Sequence, residues 1–226
     1  MIIAIDGESA SGKGTLGKLL AKRLNCTYLD TGLLYRAVAY LANQQNVLNN
    51  KVKLLQIAKS LTMQDLNHLE LKGFEVAALA SKVAMIAEVR EVLLAFQRDF
   101  ANKSYKKMGL QGAILDGRDI GTVICPKADY KFFIIANIEV RAKRRFKELK
   151  QDPINKHLTL EEVYESLRKR DLQDKTRAHS ALTPATDAII VDNTLLGINE
   201  TLELVLKYIS SKDKEILSNM AKNKEK

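Results

Sequence analysis

The sequence predicts an α/β fold, in which helices pack on both faces of a parallel β-sheet. Short apolar runs alternate along the chain with longer stretches whose apolar residues recur at helical spacing. Acidic residues also follow directly after three of the apolar runs, at Asp6, Asp30 and Asp116. Because the carboxyl ends of parallel strands share one edge of a sheet, we expect these side chains to meet there.

Five apolar runs have the length and composition of buried strands: residues 1–5, 26–29, 112–116, 130–136 and 188–192. Five other stretches have the pattern of amphipathic or charged helices: residues 13–25, 33–44, 138–150, 160–176 and 198–209. Thr31 resembles a helix N-cap and stands just ahead of the second helix. The polar, Lys-rich segment after Ser210 is expected to be the fraying end of the last helix.

Composition restricts the class of protein. The chain has 226 residues, 46% of them hydrophobic, which suffices for one domain with a buried core. Two cysteines, Cys26 and Cys125, are too few for a disulfide framework and indicate a reducing compartment. The start lacks the features of a signal peptide, and no apolar stretch approaches transmembrane length. We therefore expect a cytoplasmic protein without a membrane partner.

The net charge of +9 favours an anionic partner. Aromatic residues make up only 6% of the chain and Trp is absent, which weakens the case for a base-stacking surface that binds single-stranded nucleic acid. The three histidines are scattered and show no zinc-site spacing. Charge alone leaves nucleic acid, membranes and small phosphate-bearing molecules as candidates.

Residues 7–15, GESASGKGT, have the G-x-x-x-x-G-K spacing of a phosphate-binding loop. A strand before the loop and a helix after it complete the required context, in which backbone N–H groups and the helix N-terminus bind an anion. Lys13 would bring a compact positive charge to the β- and γ-phosphates. Gly14 stands where Ser or Thr usually follows the lysine, so Thr15 is the candidate hydroxyl contact to Mg²⁺. The alternative is an ordinary glycine-rich turn.

Two further groups of polar residues follow predicted strands. Thr31 and Arg36, at the start of the second helix, could hold a second phosphate, although these two residues taken alone fit a helix cap and a solvated arginine better. Asp116, Arg118 and Asp119 stand together after the third strand, where Asp-Gly alone would indicate only a turn.

Two basic clusters lie within residues 139–145 and 167–177. Most of their charges are expected to lie on solvated helix faces. Arg170, Asp174 and Arg177 are spaced i, i+4, i+7 and would share one helix face. Such a face can bind phosphate and sugar hydroxyls together.

The chain resembles bacterial cytidylate kinases in six segments taken in order: IDGESASGKGT, LDTGLLYRA, EVAALASKVAMIAEVRE, DGRDIGTVICPKAD, RDLQDKTRA and LTPATDAIIVDNT. The resemblance covers nearly the whole chain. It departs at residues 43–73, which are shorter than the monophosphate-binding insert of many members and need not carry its small β-structure. Thr31 stands where Ser is more usual and keeps the hydroxyl.

The resemblance implies a P-loop NTPase-like parallel sheet flanked by helices, with a small monophosphate-binding insert and a mobile lid. One domain would span residues 1–226. Its parts would be a core (1–42, 109–150 and 185–210), an insert (about 43–108) and a lid (about 151–184). The implied reaction transfers the γ-phosphoryl group of ATP to CMP, and to dCMP. Mg²⁺ would enter with ATP, held mainly by phosphates and water, with no metal site formed by the protein. A monomer that binds no nucleic acid is expected.

The resemblance also implies individual roles. The ATP-binding residues would be Gly7, Glu8, Ser9, Ala10, Ser11, Gly12, Lys13, Gly14 and Thr15. The CMP-binding residues would be Thr31, Arg36, Ser81, Arg90, Arg118, Asp119, Arg170, Asp174 and Arg177. Four cations would act in catalysis: Lys13, Arg118, Arg170 and Arg177.

One implication of the resemblance conflicts with the local sequence pattern. Residues 74–108 contain no Gly or Pro, which favours one long helix. Ser81 and Arg90 would then lie on opposite faces, yet the resemblance places both at the base. We therefore predict an interruption near Ile86–Glu88, with a second helix from about Glu88.

Three other functions remain open: a kinase for UMP or AMP, a P-loop module that binds RNA through its basic surface, and a slow nucleotide-dependent switch. Rates on a panel of monophosphates separate the first from a CMP kinase. The RNA-binding module would instead show a steep, salt-dependent affinity for RNA and no transfer to CMP.

Overall fold

The computed structural model describes residues 1–151, 153–177 and 180–222. Within these ranges, five parallel strands form one sheet in the order β2-β3-β1-β4-β5. The strands are β1 (Ile2–Gly7), β2 (Cys26–Asp30), β3 (Gly112–Gly117), β4 (Tyr130–Ile135) and β5 (Ile189–Asp192). The predicted parallel sheet and all five predicted strands are confirmed.

The α-helices are α1 (Lys13–Arg23), α2 (Thr31–Gln44), α3 (Lys51–Ser60), α4 (Phe74–Val83), α5 (Ala87–Asp99), α6 (Tyr105–Lys107), α7 (Ile138–Leu149), α8 (Leu160–Thr176) and α9 (Ile198–Lys222). Short 3₁₀ helices span Gln64–Asn67, Leu69–Lys72 and Pro153–His157, and π-helical turns span Phe100–Ser104 and Ile120–Ile124. Residues 43–73 contain α3 and two of the 3₁₀ helices, and no strand.

Helices cover both faces of the sheet, because alternate strand residues point to opposite sides. Ala4 and Leu115 belong to a core shared with α2, α3, α4 and α5. Ile3, Ile5 and Ile114 belong to the opposite core, with α1 and α9. The central strands are therefore buried on both faces, which explains why they are continuous apolar runs rather than alternating ones.

The start of α2 differs from the prediction. Thr31 is the first helical residue, and Asp30 is the N-cap, because its carboxylate accepts the Gly32 N–H at 2.9 Å. The Thr31 hydroxyl donates instead to the Asp116 carbonyl at 2.7 Å. Thr31 thus joins the ends of β2 and β3 rather than capping its own helix.

The shared helix face predicted for Arg177 is also wrong. α8 ends at Thr176, and Arg177 is extended, with φ −66° and ψ 143°. The Asp174 carbonyl accepts the Leu182 N–H at 2.7 Å, so the returning chain takes over a bond that the helix would otherwise use. The last helix, in contrast, continues beyond the predicted end to Lys222.

The interruption predicted within residues 74–108 is confirmed. α4 ends at Val83, and α5 begins at Ala87, one residue before the predicted start. Ile86 between them is extended, with φ −82° and ψ 109°. The break changes the direction of the chain where a straight helix would have kept Ser81 and Arg90 apart.

Gly7 ends β1 because the neighbouring strand comes too close for any side chain. A Cβ at this position would lie 2.1 Å from the Ile134 carbonyl oxygen, and the backbone has φ +145°. The glycine is therefore required by the packing of β1 against β4.

We predict that Gly7→Ala lowers the free energy of unfolding by about 3 kcal/mol or more, since it adds a backbone clash to an unfavourable φ. Gly109→Ala is the matched control: φ is +67° there, and a Cβ would meet nothing within 4 Å. That substitution should cost only about 1–2 kcal/mol. Urea unfolding of both variants measures the difference, and equal costs would contradict the assignment of Gly7 to sheet packing.

Candidate active site

A cavity of about 580 Å³ opens at the carboxyl edge of the sheet, between the loop after β1 and parts of α2, α4, α5, α7 and α8. Most residues that the sequence singled out line it: Ser9, Ala10, Gly12, Lys13, Gly14, Thr15, Thr31, Arg36, Ser81, Arg90, Arg118, Asp119, Arg170, Asp174 and Arg177. Three do not: Gly7, Glu8 and Ser11. The fold thus gathers residues from distant parts of the chain into one site.

The loop of residues 7–15 has the geometry of an anion-binding turn. Ala10 and Gly12 both have positive φ, at 59° and 89°, which curves the backbone ahead of α1. Gly12 gives α1 no side-chain cap, so the first N–H groups of the helix stay available to a ligand. The Lys13 ammonium donates to the Glu8 carbonyl at 3.0 Å across the loop.

Lys13 lies in a strongly cationic setting. Burial lowers the pKa of Lys13 to about 8, and the Arg118 guanidinium lowers it further, whereas Asp116 and Asp30 oppose the shift. A phosphate group would reverse this balance, because it supplies the negative charge that a buried ammonium lacks.

The three loop residues outside the cavity have other surroundings. The Glu8 carboxylate pairs with Arg141 at 3.4 Å and with Lys175 at 3.1 Å, outside the lining of the cavity. Ser11 is fully buried, and its carbonyl accepts from Asn193. Gly7 packs against the backbone of β4 within the sheet.

Two carboxylates line the cavity at the strand ends. Burial raises the pKa of Asp116 to about 7, and the nearby Asp30 charge adds to that shift. Asp116 also accepts a hydrogen bond from the Tyr28 hydroxyl. Two carboxylates that repel each other beside a phosphate loop form a suitable donor set for a divalent cation.

Several arginines line the cavity. Arg118 pairs with Asp174 at 2.7 Å, and Arg177 lies 3.6 Å from the same carboxylate. Burial lowers the pKa of Arg170 to about 9, with a further contribution from Arg118. Burial also lowers the pKa of Arg36 to about 10. These shifts mean that the cations are held together at an electrostatic cost, which a bound anion would relieve.

The cavity also reaches the break between α4 and α5. Arg90 pairs with Asp119 at 2.5 Å, and both side chains are largely buried. The Tyr35 ring stacks against the Arg90 guanidinium, 5.5 Å from its centroid. Ser81 lines the same cavity, although its hydroxyl donates to the Ala77 carbonyl of its own helix.

Sequence reasoning missed part of the wall beside the phosphate loop. Asn193, which follows β5, donates to the Ser11 carbonyl at 2.8 Å and accepts from Arg144 at 3.0 Å. Arg144 and Arg145 line the cavity as well. The position of Asn193 just after an apolar run predicted to be a strand was the available signal, whereas the two arginines were hidden in a cluster expected to be solvated.

A phosphate loop, a set of buried arginines and a separate polar pocket, combined on a five-stranded parallel sheet, define a P-loop kinase. The family model described as cytidylate kinase matches residues 3–211, and the chain belongs to this family.

Curated relatives agree with this assignment. The cytidylate kinase of Bartonella tribocorum is 42% identical over 211 residues, covering 92% of this chain and 94% of the relative. That of Methylocella silvestris is 44% identical over 212 residues, covering 93% and 94%. The solved shikimate kinase from Bacteroides thetaiotaomicron has a TM-score of 0.50 at 15% identity, covering 93% and 98%, and supports the fold alone.

Membrane-spanning helices and metal-binding clusters are both absent from residues 1–151, 153–177 and 180–222. None of the helices there is long and apolar enough to cross a membrane. The same part of the chain holds no cluster of three or more His, Cys, Asp or Glu side chains suited to a metal ion.

Asp6 holds the loop that carries Asp119 in place through hydrogen bonds to its backbone. The Asp6 carboxylate accepts the N–H groups of Ile120 and Gly121, both at 2.8 Å. Burial raises the pKa of Asp6 to about 6, although these two hydrogen bonds act in the opposite direction. The carboxylate therefore positions the loop, and its contribution to the free energy of unfolding depends on pH.

The contribution of Asp6 to stability should fall as pH rises. Its pKa in the folded chain lies above the ordinary value of 3.8, so the folded chain binds this proton more tightly than the unfolded chain does. We predict that the stability of the wild type relative to Asp6→Asn decreases by about 2 kcal/mol between pH 4 and pH 7. Urea unfolding across this range measures the trend. A difference between the wild type and Asp6→Asn that stays flat across this range would refute the prediction.

Proposed function

We propose that this protein transfers the γ-phosphoryl group of ATP to CMP, giving ADP and CDP, and that dCMP is a second acceptor. The observation that carries the proposal is the arrangement of one cavity. Lys13 and the phosphate loop line it together with the Arg90–Asp119 pair. Arg118, Arg170 and Arg177 line the same cavity. Membership of the cytidylate kinase family supports CMP as the acceptor over UMP or AMP, and does not favour an RNA-binding module or a nucleotide switch.

The main task of such a site is electrostatic. ATP and CMP are both anions and repel each other, and phosphoryl transfer needs alignment and charge stabilisation more than it needs a covalent partner. The three central arginines are suited to this task, because guanidinium groups stay charged and donate in a planar fork. Substrate phosphates would compete for Arg118 with its present partner, Asp174.

At the ATP end, the amides of the loop and of the first turn of α1 would bind the phosphates, with Lys13 between them. Mg²⁺ supplies Lewis-acid neutralisation of phosphate charge when it is bound. Thr15, Asp30 and Asp116 are the residues proposed to hold the ion, together with the phosphates and water.

At the CMP end, Thr31 and Arg36 would hold the acceptor phosphate, and Asp174 the ribose. The Asp119 carboxylate is an acceptor for the cytosine amino group, and Arg90 is a donor to the ring oxygen or nitrogen. Uracil carries an oxygen in place of that amino group, so it would leave a buried carboxylate facing an acceptor.

The division of the domain follows the same logic. We propose that residues 43–108 form the monophosphate-binding insert and residues 151–184 the lid, around a core of residues 1–42, 109–150 and 185–210. Closure of the lid would exclude water, which otherwise competes with CMP for the phosphoryl group. A cytoplasmic monomer is part of the same proposal.

ADP release measured across CMP, dCMP, UMP and AMP tests the whole assignment, and no release above background with CMP would refute it.

Replacing Lys13 should abolish transfer without unfolding the chain. We predict that Lys13→Met lowers kcat by about 10²-fold or more, because it removes a positioned charge donor at the phosphates. Lys22→Met, on the exposed side of the same helix, should keep wild-type turnover. Circular dichroism checks that both variants are folded. Near-normal turnover by a folded Lys13→Met protein would remove Lys13 from the mechanism.

Replacing Arg90 should weaken discrimination between bases. We predict that Arg90→Met reduces the ratio of kcat/KM for CMP over UMP by about 10-fold or more, since it deletes a donor and leaves Asp119 unpaired. Arg98→Met is the control on the same helix, because Arg98 donates to the carbonyls of Val123 and Ile124 outside the cavity. An unchanged ratio for Arg90→Met, or an equal change in both variants, would contradict base recognition by Arg90.

A further inference from the structure

A buried ion cluster lies behind the phosphate loop and takes no part in the roles proposed so far. At its centre is Arg141 of α7, which is only 3% exposed and does not line the cavity. Its guanidinium lies 2.7 Å from the Asp171 carboxylate and 3.4 Å from that of Glu8. The sequence placed Arg141 in a basic cluster expected to be mostly solvated, whereas the fold encloses it.

Arg141 joins three elements that meet at the site. Its Nε donates to the Ala136 carbonyl just after β4, at 2.8 Å. One terminal nitrogen donates to the Ser9 carbonyl of the phosphate loop at 3.1 Å and to Asp171 of α8 at 2.7 Å. Only a rigid, planar group with several donors can hold partners in these directions together.

A second arginine makes a parallel connection on the cavity side. Arg118 donates to the Ser9 hydroxyl at 2.8 Å and pairs with Asp174, one turn after Asp171. Because Arg118 lines the cavity, substrate phosphates would compete for it. Arg141 lies outside the cavity lining, so its contacts can persist while the site is occupied.

Stability alone does not account for this cluster. Burying a guanidinium and a carboxylate is costly, and an apolar pair of similar volume is often as stable. α8 already packs on α7 through an apolar cluster that includes Ala142, Val163 and Leu167. In addition, one Asp171 oxygen is buried with no hydrogen-bond partner. The cluster is therefore better explained by the geometry that it imposes on the phosphate loop and α8 than by a gain in stability.

We propose that Arg141 is a positioning residue for phosphoryl transfer. It keeps the Ser9 backbone of the phosphate loop in register with α8. The loop amides and Arg170, the neighbour of Asp171, are thereby directed at the same phosphate groups. This inference rests on the proposed function.

The decisive experiment compares Arg141→Met with the double variant Arg141→Met/Asp171→Leu. The single variant leaves a buried carboxylate unpaired and should lose both thermal stability and turnover. The double variant removes both charges and should regain stability. Its kcat should nevertheless stay about 10- to 100-fold below wild type, since small misplacements of reacting groups have effects of this size. KM for CMP should change less than about 2-fold, because Arg141 touches none of the residues proposed at the base.

Two further variants separate positioning from charge and from general destabilisation. Arg141→Lys keeps the charge but has one ammonium in place of the fork, so its kcat should remain below wild type. Lys131→Met removes another buried cation, which pairs with Asp187 at 2.9 Å away from the loop, and should lower the melting temperature with unchanged kcat. Full recovery of kcat in the double variant or in Arg141→Lys would overturn the proposal.

Amide hydrogen exchange of residues 8–15 in the unliganded protein is a readout that does not depend on the reaction. Exchange should be faster than wild type in the Arg141→Met/Asp171→Leu variant and unchanged in Lys131→Met. Unchanged exchange in the double variant would refute the connection between loop and α8. A wild-type chain that releases no ADP with CMP would refute the proposed function, and the exchange result would still decide whether Arg141 orders the loop.

Discussion

The parallel pairing of β1 with both β3 and β4 is the constraint on which the site depends. It aligns Asp6 with Gly117 on one side and Gly7 with Ile134 on the other. The polar ends of the central strands therefore finish at one edge, where the loop of residues 7–15 can turn into α1. A shift of one residue would exchange the buried and polar positions of a strand, so the register of the core and the layout of the site are fixed together.

Electrostatics is the second organising feature. The cavity concentrates lysine and arginine side chains before any anion is present, and burial holds the pKa values of Lys13, Arg36 and Arg170 below their ordinary range. Carboxylates such as Asp174 limit the repulsion by pairing with two arginines at once. The side chains in the cavity thus carry more positive charge than its carboxylates neutralise. A polyanion that binds there would gain favourable electrostatic free energy.

Much of this architecture could be predicted from the sequence, because strands buried on both faces and a glycine-rich turn leave strong local patterns. The interruption before Ala87 was also predictable, but only from the resemblance, since no Gly or Pro marks it. Contacts between residues that are far apart in the sequence could not be predicted from local patterns. The side chain of Glu8 turns away from the cavity because Arg141 and Lys175 attract it, and Arg177 leaves α8 because the chain returns to Asp174. The burial of Arg141 likewise depends on α7, α8 and the loop meeting in space.

In the proposed function Arg90 and Asp119 bind the base, and in the structure these two side chains pair with each other. A base that enters must exchange partners with two groups that are bonded to each other, so recognition is a substitution and not the filling of vacant positions. Cytosine can replace both halves of the pair, because its amino group can donate to Asp119 while its ring acceptors face Arg90, whereas uracil would place an oxygen opposite Asp119. Selectivity then arises from the ion pair that the protein would have to give up, because a base that replaces only one half of it leaves a buried charge unpaired.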